Sequence, residues 1–431
     1  MRESACMSMY LYFLFIRITA LFGHKKARLL VRGQADTLKK LTAEGGLTAK
    51  RSNSVSGLSA SAVYQRSDLI WIHAASVGEF EQARPLIERL RREQPQHKIV
   101  VTFFSPSGYE MRKNYDQADD VYYLPFATRR NAKRFLDALQ PTMAIFVKYE
   151  FWPAYLRELK KRNIPTYSIS AIFRPKQLFF RPWGKSQLRV LDCFTHIYVQ
   201  DEASRQLLQS HGITRVTVAG DTRFDRMAEL IQANAGKSLG DRLVPIEQFV
   251  EGCEHVIVAG STWPKDEELL AQFMANNPSA KLILVPHEID DTHLHTIFEL
   301  FEGRMVRYTQ ANSLNIRHTR VLVVDTMGLL SSIYRLGHVA YIGGGFGVGI
   351  HNTIEAAAYG MPVLFGPNYH HFREAKGLIA AGAADSISNY TELERSLIRA
   401  LATHEEMGAR AAAYVQSELG ATDKIYKEIF N

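Results

Sequence analysis

Two glutamates stand just beyond apolar, strand-like runs, where a carboxylate can act as a general base. Glu79 follows the run 69–73, and Gly78 permits a tight turn into the helix that Glu79 begins. The positive end of that helix would by itself lower the pKa of Glu79, so its basicity requires partial removal from water. The alternative is an ordinary first-turn glutamate that stabilises the helix dipole, and spacing alone does not separate the two.

Glu150 and Arg223 also lie where strands are expected to end. Glu150 follows the run 144–147, and its alternative is a surface charge beside an aromatic helix start. Arg223 follows the run 216–219 and places a cation there, which suits the binding of an anion. We therefore expect two carboxylates and one arginine near one edge of a sheet.

The stretch 341–355 has the composition of a ligand loop. An apolar strand runs into five glycines within 343–349, and Asn352 and Glu355 follow. Glycine lets the backbone approach a ligand closely, and the start of the next helix favours an anion such as phosphate. Asn352 is the expected N-cap, and Glu355 can reach hydroxyl groups of a bound ligand. The alternative is a tight strand-to-helix turn without a ligand.

Several familiar sites are absent from the sequence. The glycines do not fit the dinucleotide pattern G-x-G-x-x-G, and Ile231 stands where a P-loop before Gly236 needs glycine. The histidines and aspartates of 287–295 lack metal-site spacing and favour a solvated helix start. The three cysteines are far apart and odd in number, which predicts a reducing compartment and no structural zinc.

A repeating strand and helix pattern positions these residues. Short apolar runs alternate with amphipathic segments from residue 69, pause over 227–252 and then restart. This predicts an α/β chain with two doubly wound, Rossmann-like parallel-sheet domains. Ligands bind beyond the carboxyl ends of such strands, so we expect the domains to face each other across a cleft that holds the site. The predicted strands are 69–73, 99–103, 121–124, 144–147, 166–169, 197–199, 216–219, 256–259, 282–285, 321–324, 339–342 and 363–365.

The net charge of +8 is concentrated near the N-terminus. Residues 1–60 contain ten Lys and Arg against three acids, so the remainder is almost neutral and offers no basic face for nucleic acid. The apolar run 7–22 falls short of the roughly 20 residues that a spanning helix needs. We expect an anchor helix that lies in or dips into the membrane, with the basic segment on its cytoplasmic face. The alternative is an amphipathic core helix.

These features define five segments of the chain. The prediction is a membrane anchor with a basic segment (1–45), a first Rossmann-like domain (46–235), a linker (236–252), a second domain (253–403) and a C-terminal helix (404–431) that packs back on the first domain.

In combination, the motifs resemble the 3-deoxy-D-manno-octulosonic acid (Kdo) transferases of lipopolysaccharide assembly, glycosyltransferase family 30. The resemblance covers most of the chain from residue 69 to 383 and includes the N-terminal anchor. It rests on His-Ala-Ala-Ser-Val-Gly-Glu (73–79), Tyr-Glu-Phe-Trp-Pro (149–153), Gly-Ser-Thr (260–262), Asp-Thr-Met-Gly (325–328) and the Gly-rich loop with His351 and Asn352.

The resemblance implies a GT-B fold and an inverting, metal-independent transfer of Kdo from CMP-Kdo to a lipid A precursor, lipid IVA. It implies no cofactor, and a location at the cytoplasmic face of the inner membrane. Glu79 matches the proton acceptor, while Glu150 and Arg223 match transition-state stabilisers. The resemblance further implies that the donor is bound by Ser261, Thr262, Pro286, His287, Met327, Gly328, Leu329, Gly345, Asn352, Thr353, Ile354 and Glu355.

The chain departs from the family pattern at four places. The pattern Asn-x-Lys-Phe-Asp reads Asp221-Thr-Arg223-Phe-Asp here, and the first acid of Glu-x-Glu-Leu-Trp is Lys148. The Glu after Met-Gly is Leu329, and the arginine of Pro-Arg-His is missing before His287. Both cleft glutamates are intact, so we expect activity, with the contacts to CMP and the choice of acceptor left open.

Two other hypotheses remain. One is a different GT-B enzyme, such as a UDP-sugar transferase or epimerase, which would bind a uridine nucleotide rather than CMP. The other is a membrane-tethered, non-catalytic protein that binds a sugar nucleotide, for which Glu79→Gln would change no turnover.

Overall fold

The computed structural model describes residues 4–43, 68–181, 184–234, 240–312, 314–347 and 349–431. The chain forms two compact units. Unit 1 comprises Met1–Arg226 and Gly420–Asn431, and unit 2 comprises Met227–Leu419.

Unit 1 is an α/β layer structure with a seven-stranded sheet. Its strands are β1 (Leu69–His73), β2 (Lys98–Phe103), β3 (Asp120–Tyr123), β4 (Met143–Val147), β5 (Thr166–Ala171), β6 (His196–Val199) and β7 (Val216–Val218). Its helices are α1 (Ser4–Leu21), α2 (Lys25–Ala43), α3 (Val77–Glu93), α4 (Pro106–Arg112), α5 (Arg129–Leu139), α6 (Pro153–Lys161), α7 (Lys185–Leu191), α8 (Glu202–Gln209) and the start of α9 (Thr222–Asn234).

Unit 2 repeats this architecture with a second seven-stranded sheet. Its strands are β8 (Val256–Thr262), β9 (Lys281–Pro286), β10 (Val306–Arg307), β11 (Val321–Val323), β12 (Val339–Ile342), β13 (Val363–Phe365) and β14 (Ala384–Ser386). Its helices are α10 (Val244–Val250), α11 (Pro264–Asn276), α12 (Asp291–Leu300), α13 (Leu330–Ile333), α14 (Ile354–Ala358), α15 (Arg373–Ala380), α16 (Tyr390–Ala402) and α17 (His404–Ser417); α18 (Ala421–Phe430) then belongs to unit 1.

Both sheets are doubly wound. Their strand orders are β3-β2-β1-β4-β5-β6-β7 and β10-β11-β9-β8-β12-β13-β14, and the strand pairs in both are parallel. The order therefore reverses between β1 and β4 in unit 1, and between β8 and β12 in unit 2. Loops at such a switch point leave the sheet on opposite faces and open a crevice for ligands. The α/β, doubly wound prediction is confirmed.

Alternating side chains of the central strands supply the core. In β1, Trp71 is fully buried and packs against Phe135, Phe146 and Tyr155 at ring-centroid distances of 5.1, 5.2 and 5.6 Å. Ile72, next along the strand, belongs to the core on the opposite face of the sheet. The strand is thus buried on both sides, which explains why its sequence is a continuous apolar run.

The predicted strands are confirmed, but β10 and β14 were missed. They are two and three residues long and lie at the edges of the second sheet. Edge strands this short carry neither an apolar run nor an alternating pattern, so the sequence holds no signal for them.

The N-terminal segment forms two helices that belong to unit 1. In α1, Phe13, Ile16 and Ala20 are buried in the unit 1 core, and the Phe13 ring lies 4.3 Å from that of Phe126. The rest of the described α1 surface exposes large apolar side chains, including Phe15 at 63%. Within the described residues, no helix is both long enough and apolar enough to cross a membrane.

The predicted linker and C-terminal helix are built differently from the expectation. Within the predicted linker, α10 folds into unit 2 because Ile246 and Phe249 are buried. The C-terminal segment is two helices, since Gly420 takes a φ of +103° and ends the continuity. The Asp225 carboxylate accepts hydrogen bonds from the backbone N–H groups of Gly420 and Thr422, at 2.7 and 2.6 Å, and so caps α18.

Candidate active site

The switch point of unit 1 brings the two predicted carboxylates together. Strands β1 and β4 are neighbours, with His73 opposite Phe146 in register, and the segments that carry Glu79 and Glu150 follow these strands. The charge of Glu150 acts directly on Glu79. The sequence placed both residues at strand ends, but only the strand order shows that the two ends are adjacent.

Glu79 is held at the start of α3 by a capping box. Its Oε2 accepts hydrogen bonds from the backbone N–H of Ala75, at 2.7 Å, and of Ser76, at 3.2 Å. In return, the Ser76 hydroxyl accepts a bond from the Glu79 N–H at 3.4 Å. The carboxylate is therefore fixed in orientation before any substrate arrives.

Burial and a second carboxylate make Glu79 a base suited to neutral pH. Burial raises its pKa first, the Glu150 charge raises it further, and the result is about 7. The N–H of Ala75, the Lys148 ammonium and the N–H of Ser76 oppose this rise but are outweighed. The sequence left open whether the helix end or removal from water would dominate, and in the structure removal from water does.

Glu150 lies against two aromatic rings, His73 and Trp152, whose nitrogens Nε2 and Nε1 are also 3.0 Å apart. The His73 Nε2 lies 3.0 Å from its Oε2, and the Trp152 indole N–H donates to the same oxygen. His73 is fully buried at the end of β1. Both rings come from the motifs that the sequence singled out, yet their contact with Glu150 could not be read from spacing, because His73 and Glu150 stand on different strands.

Arg223 is locked onto Asp221, so two departures from the family pattern form one ion pair. The guanidinium donates to Asp221 Oδ2 from Nε at 3.0 Å and from Nη2 at 2.6 Å. Gln82 donates to Oδ1 at 3.1 Å. Burial would raise the pKa of Asp221, but the charge and hydrogen bonds of Arg223, with a contribution from Lys148, bring it below its usual value.

Three residues at strand ends hold a backbone conformation that non-glycine residues rarely adopt. Lys148, Ser170 and Ser261 have φ values of +59°, +52° and +55°. Such residues are costly and cluster at functional sites, where the surrounding structure fixes them. No local pattern indicates them, because positive φ is signalled by Gly, Asn or Asp and not by Lys or Ser.

In unit 2 the Gly-rich loop lies against the end of β8, its neighbour at the switch point. A side chain at Gly343 would approach the Ser261 carbonyl oxygen to 2.3 Å, and one at Gly345 would meet the Gly366 backbone at 2.6 Å. Gly344 has a φ of +90° and donates its N–H to the buried Asp266 at 2.9 Å. Asp266 thus fixes the loop, although the sequence did not single it out.

The predicted donor-binding residues fall into three groups. Ser261, Thr262, Pro286 and His287 lie together, since the His287 N–H donates to the Thr262 carbonyl at 3.0 Å. Met327, Gly328 and Leu329 follow β11, and Asn352, Thr353, Ile354 and Glu355 surround the start of α14, where Asn352 Nδ2 donates to Glu355 Oε1 at 2.9 Å.

These residues differ in exposure. Pro286, Leu329, Thr353 and Ile354 are buried. Met327, by contrast, is 64% exposed.

The helix after the loop corrects two sequence expectations. The N-cap of α14 is Thr353 and not Asn352, although the Asn352 side chain still accepts the N–H of Ile354 at 3.2 Å. The helix has only five residues. Its dipole is correspondingly short, so the expected attraction of an anion by this helix end is weaker than a long helix would give.

An aromatic stack missed by the sequence reasoning adjoins this loop. The His287 ring lies 4.8 Å from that of Trp263 and 4.6 Å from that of His351, nearly parallel to both. Trp263 Nε1 donates to His351 Nε2 at 3.2 Å. Burial and the nearby His287 lower the pKa of His351 to about 4, so that ring is neutral near pH 7.

The histidines that resemble metal ligands have other partners. His293 Nε2 lies 2.9 Å from the buried Glu267 carboxylate, and its Nδ1 lies 2.9 Å from the Glu288 carbonyl. In the described part of the chain, no cluster of three or more His, Cys, Asp and Glu side chains could hold a metal ion.

The family model and the relatives that match this chain carry the same description. Residues 48–226 match the family model described as 3-deoxy-D-manno-octulosonic-acid transferase (kdotransferase). The chain is 28% identical to the 3-deoxy-D-manno-octulosonic acid transferase of Aquifex aeolicus over 345 residues, which are 78% of this chain and 87% of that protein. It is 25% identical to the Haemophilus influenzae protein of the same name over 374 residues, 83% and 85% of the two chains.

A solved structure with a similar fold is UDP-GlcNAc 2-epimerase from Neisseria meningitidis, bound to UDP-GlcNAc. The TM-score is 0.62 at 16% identity, with 84% of this chain and 98% of that chain covered. At this identity the likeness concerns the fold, which is of the GT-B class.

Proposed function

We propose that this chain is a glycosyltransferase of the Kdo transferase family and moves Kdo from CMP-Kdo to the lipid A precursor lipid IVA in lipopolysaccharide biosynthesis. The transfer inverts the anomeric centre and needs neither a metal ion nor a cofactor. The observation that carries this proposal is the Glu79 carboxylate at the unit 1 switch point, whose pKa of about 7 suits a general base.

Glu79 is the proton acceptor in the proposed reaction. It takes the proton from a sugar hydroxyl of the acceptor as that oxygen attacks the anomeric carbon of Kdo. The bond from this carbon to the phosphate oxygen of CMP breaks, and attack opposite to the leaving group inverts the centre. A carboxylate already fixed by Ala75 and Ser76 needs little reorganisation when the proton moves.

Glu150 and Arg223 stabilise the charges that develop in the transition state. The Glu150 carboxylate opposes the positive charge on the sugar ring, and the Arg223 guanidinium opposes the negative charge on the departing phosphate. The Asp221 contacts fix the plane of the guanidinium in advance. An arginine supplies charge that a metal ion would otherwise provide, which supports the metal-independent mechanism.

Unit 2 binds the CMP moiety in this proposal. The N–H groups of Gly343 and Gly344 are donated within unit 2, to the Gly260 carbonyl and to Asp266, so the phosphate would be bound by the N–H groups that follow, those of Gly345 and Phe346. Asn352 and Glu355 form a polar pair suited to the ribose hydroxyls.

The chain is proposed to act at the cytoplasmic face of the inner membrane, bound through α1 and α2. The outer side of α1 exposes Phe15, at 63%, and Leu21, at 81%, and basic residues such as Lys25 and Lys26 follow. Apolar side chains beside cations favour an anionic lipid surface.

Phe15→Ser should reduce co-sedimentation with anionic vesicles and leave stability unchanged, whereas neutral vesicles should bind wild type weakly. Equal binding of the variant and wild type would contradict this site of attachment.

The decisive test is transfer from enzymatically generated CMP-Kdo to lipid IVA, in detergent with EDTA, comparing wild type with Glu79→Gln. We expect product from wild type and a fall of at least ~100-fold in the variant. Glu110→Gln, an exposed change on α4, is the matched control and should leave the rate unaltered.

Other outcomes would redirect the assignment. Binding of CMP without any product from wild type would refute lipid IVA as the acceptor. Preference for a uridine nucleotide over CMP would refute the donor. Full activity of Glu79→Gln would refute the general base, and inhibition of wild type by EDTA would refute the metal-independent mechanism.

A further inference from the structure

His73 connects the end of β2 to the carboxylate that follows β4. Its Nδ1 lies 2.9 Å from the Thr102 hydroxyl and 3.1 Å from the Thr102 carbonyl oxygen. Its Nε2 lies 3.0 Å from Glu150 Oε2 and 3.0 Å from Trp152 Nε1. The imidazole is fully buried, so water cannot replace either contact. Every proton on this ring must therefore be accounted for by these neighbours.

The donors and acceptors around His73 determine which nitrogen carries a proton. The Trp71 indole N–H donates to the Thr102 hydroxyl at 2.8 Å, which leaves that hydroxyl free to donate its own proton to Nδ1. Nε2–H then donates to Glu150. If His73 is instead an imidazolium, Nδ1–H donates to Thr102 and Nε2–H still donates to Glu150. A bare Nε2 would place its lone pair against the Glu150 carboxylate and would have to accept the Trp152 indole N–H instead. That N–H lies closer to Glu150 Oε2, which is the stronger acceptor, so the geometry favours a proton on Nε2.

We propose that His73 is a positioning residue that acts on the reaction through Glu150, holding this carboxylate in one orientation. The inference rests on the proposed function, because it assigns Glu150 a part in the transfer. His73 itself touches no substrate. Its N–H and that of Trp152 converge on one oxygen of Glu150, so the pair leaves the carboxylate a single favoured position.

The orientation of Glu150 matters for both carboxylates of unit 1. Glu150 opposes the positive charge of the transition state in the proposed reaction, and its charge also acts on Glu79. If the Nε2–H donor is removed, Glu150 keeps the Trp152 donor among the described residues and can turn away. The expected consequence is a slower chemical step with unchanged binding of the donor nucleotide, which unit 2 provides.

Two substitutions of His73 separate this function from simple packing. The amide nitrogen of Gln can reach the place of Nε2 and still donate to Glu150, whereas that of Asn reaches only the place of Nδ1, beside Thr102. We expect His73→Asn to lower kcat roughly 10- to 100-fold, the value of a hydrogen bond to a charged group. His73→Gln should retain kcat within ~5-fold, and the KM for CMP-Kdo should change less than ~3-fold in both. Equal losses in the two variants, a larger loss in His73→Gln, or a loss confined to KM would overturn the proposal.

A second measurement needs no substrate and reads the wild-type protein directly. In protein labelled with 15N-histidine, the His73 signals are identified by their loss in His73→Gln, and their shifts report which nitrogen is protonated. A protonated Nε2 at pH 7.5 supports the proposal, with Nδ1 either bare or protonated, and a bare Nε2 overturns it. If wild type transfers no Kdo, the proposed function fails, while this readout still decides the state of His73.

Discussion

Glu79→Gln is expected to stabilise the folded protein at alkaline pH while it removes activity. The fold raises the pKa of Glu79 from 4.5 to about 7, mainly by burial. This difference corresponds to ~3 kcal/mol by which the folded state prefers the protonated carboxyl over the carboxylate. At pH 8 the side chain is ionised in both states, so the folded protein carries this cost in full.

The direction in which the stability contribution of Glu79 changes with pH depends on whether the folded or the unfolded state binds the proton more tightly. Between pH 4.5 and about 7 the folded state holds a proton that the unfolded chain releases, so the contribution of Glu79 to stability falls as pH rises. Below this window the contribution vanishes. Gln is uncharged throughout, and its Oε1 can still accept the Ala75 N–H. The hydrogen bond from the Ala75 N–H is weaker to an amide oxygen than to a carboxylate. We therefore expect the free energy of unfolding to rise by ~1–3 kcal/mol at pH 8.

Denaturant unfolding at pH 8, 6.5 and 5 measures this gain. The fluorescence of Trp71 and Trp152 follows unit 1, and the two units need not unfold together. Glu110→Gln is the control, because its exposed carboxylate pairs only with solvent-exposed Lys113 among the ion pairs in the described residues. It should change stability by less than ~0.5 kcal/mol at each pH.

Two results would refute the reasoning. Glu79→Gln could prove no more stable than wild type at pH 8, or its gain could be as large at pH 5 as at pH 8. Either result would mean that the ionised carboxylate costs the fold little, and burial would not explain the basicity of Glu79. If Glu79→Gln abolishes transfer without stabilising the fold, Glu79 can still be the proton acceptor, but burial is not the cause of its raised pKa.

Three further predictions concern the two units. The transfer rate should rise with pH with a midpoint near 7, since Glu79 must be ionised to accept a proton, and a pH profile that is flat from 5 to 8 would contradict this. Asp221→Asn and Arg223→Lys should each lower kcat by ~10-fold, because each breaks the bidentate pair, and the double variant should recover part of the loss in a steady-state assay. His293→Ala should destabilise unit 2 by ~3 kcal/mol in denaturant unfolding, because it leaves the Glu267 carboxylate buried without its partner, and adding Glu267→Gln should restore part of this stability.

The sequence predicted most of the fold because the central strands are buried on both faces. Runs such as 69–73 and 339–342 are continuously apolar, and the strands have the same bounds in the structure. What failed were elements whose formation depends on distant contacts. The break at Gly420 exists because Asp225, 195 positions away, caps the next helix. A local sequence pattern does not reveal a partner that is so far away along the chain.

The sequence identified residues of the candidate site but not how they lie relative to one another. Glu79 and Glu150 were found because acids beyond strand ends are a local signal, whereas their proximity depends on the strand order of the sheet. The same holds for Asp266, which looks like a first-turn acid in the sequence. In the structure it is buried and binds the Gly344 N–H and the Tyr341 hydroxyl, at 2.9 and 2.7 Å. Its burial raises its pKa, which no local pattern indicates.

The departures at positions 221 and 223 are a single change in physical terms. In the sequence, Asp221 and Arg223 are two separate departures from the Asn-x-Lys pattern. In the structure Asp221 is 2% exposed, and a carboxylate buried to this extent needs a cation, which only the planar fork of Arg223 can satisfy at two nitrogens. Either substitution alone would leave a buried charge unpaired or a lysine without its amide neighbour. Together they keep a cation at the same strand end, which is the charge that the proposed reaction needs there.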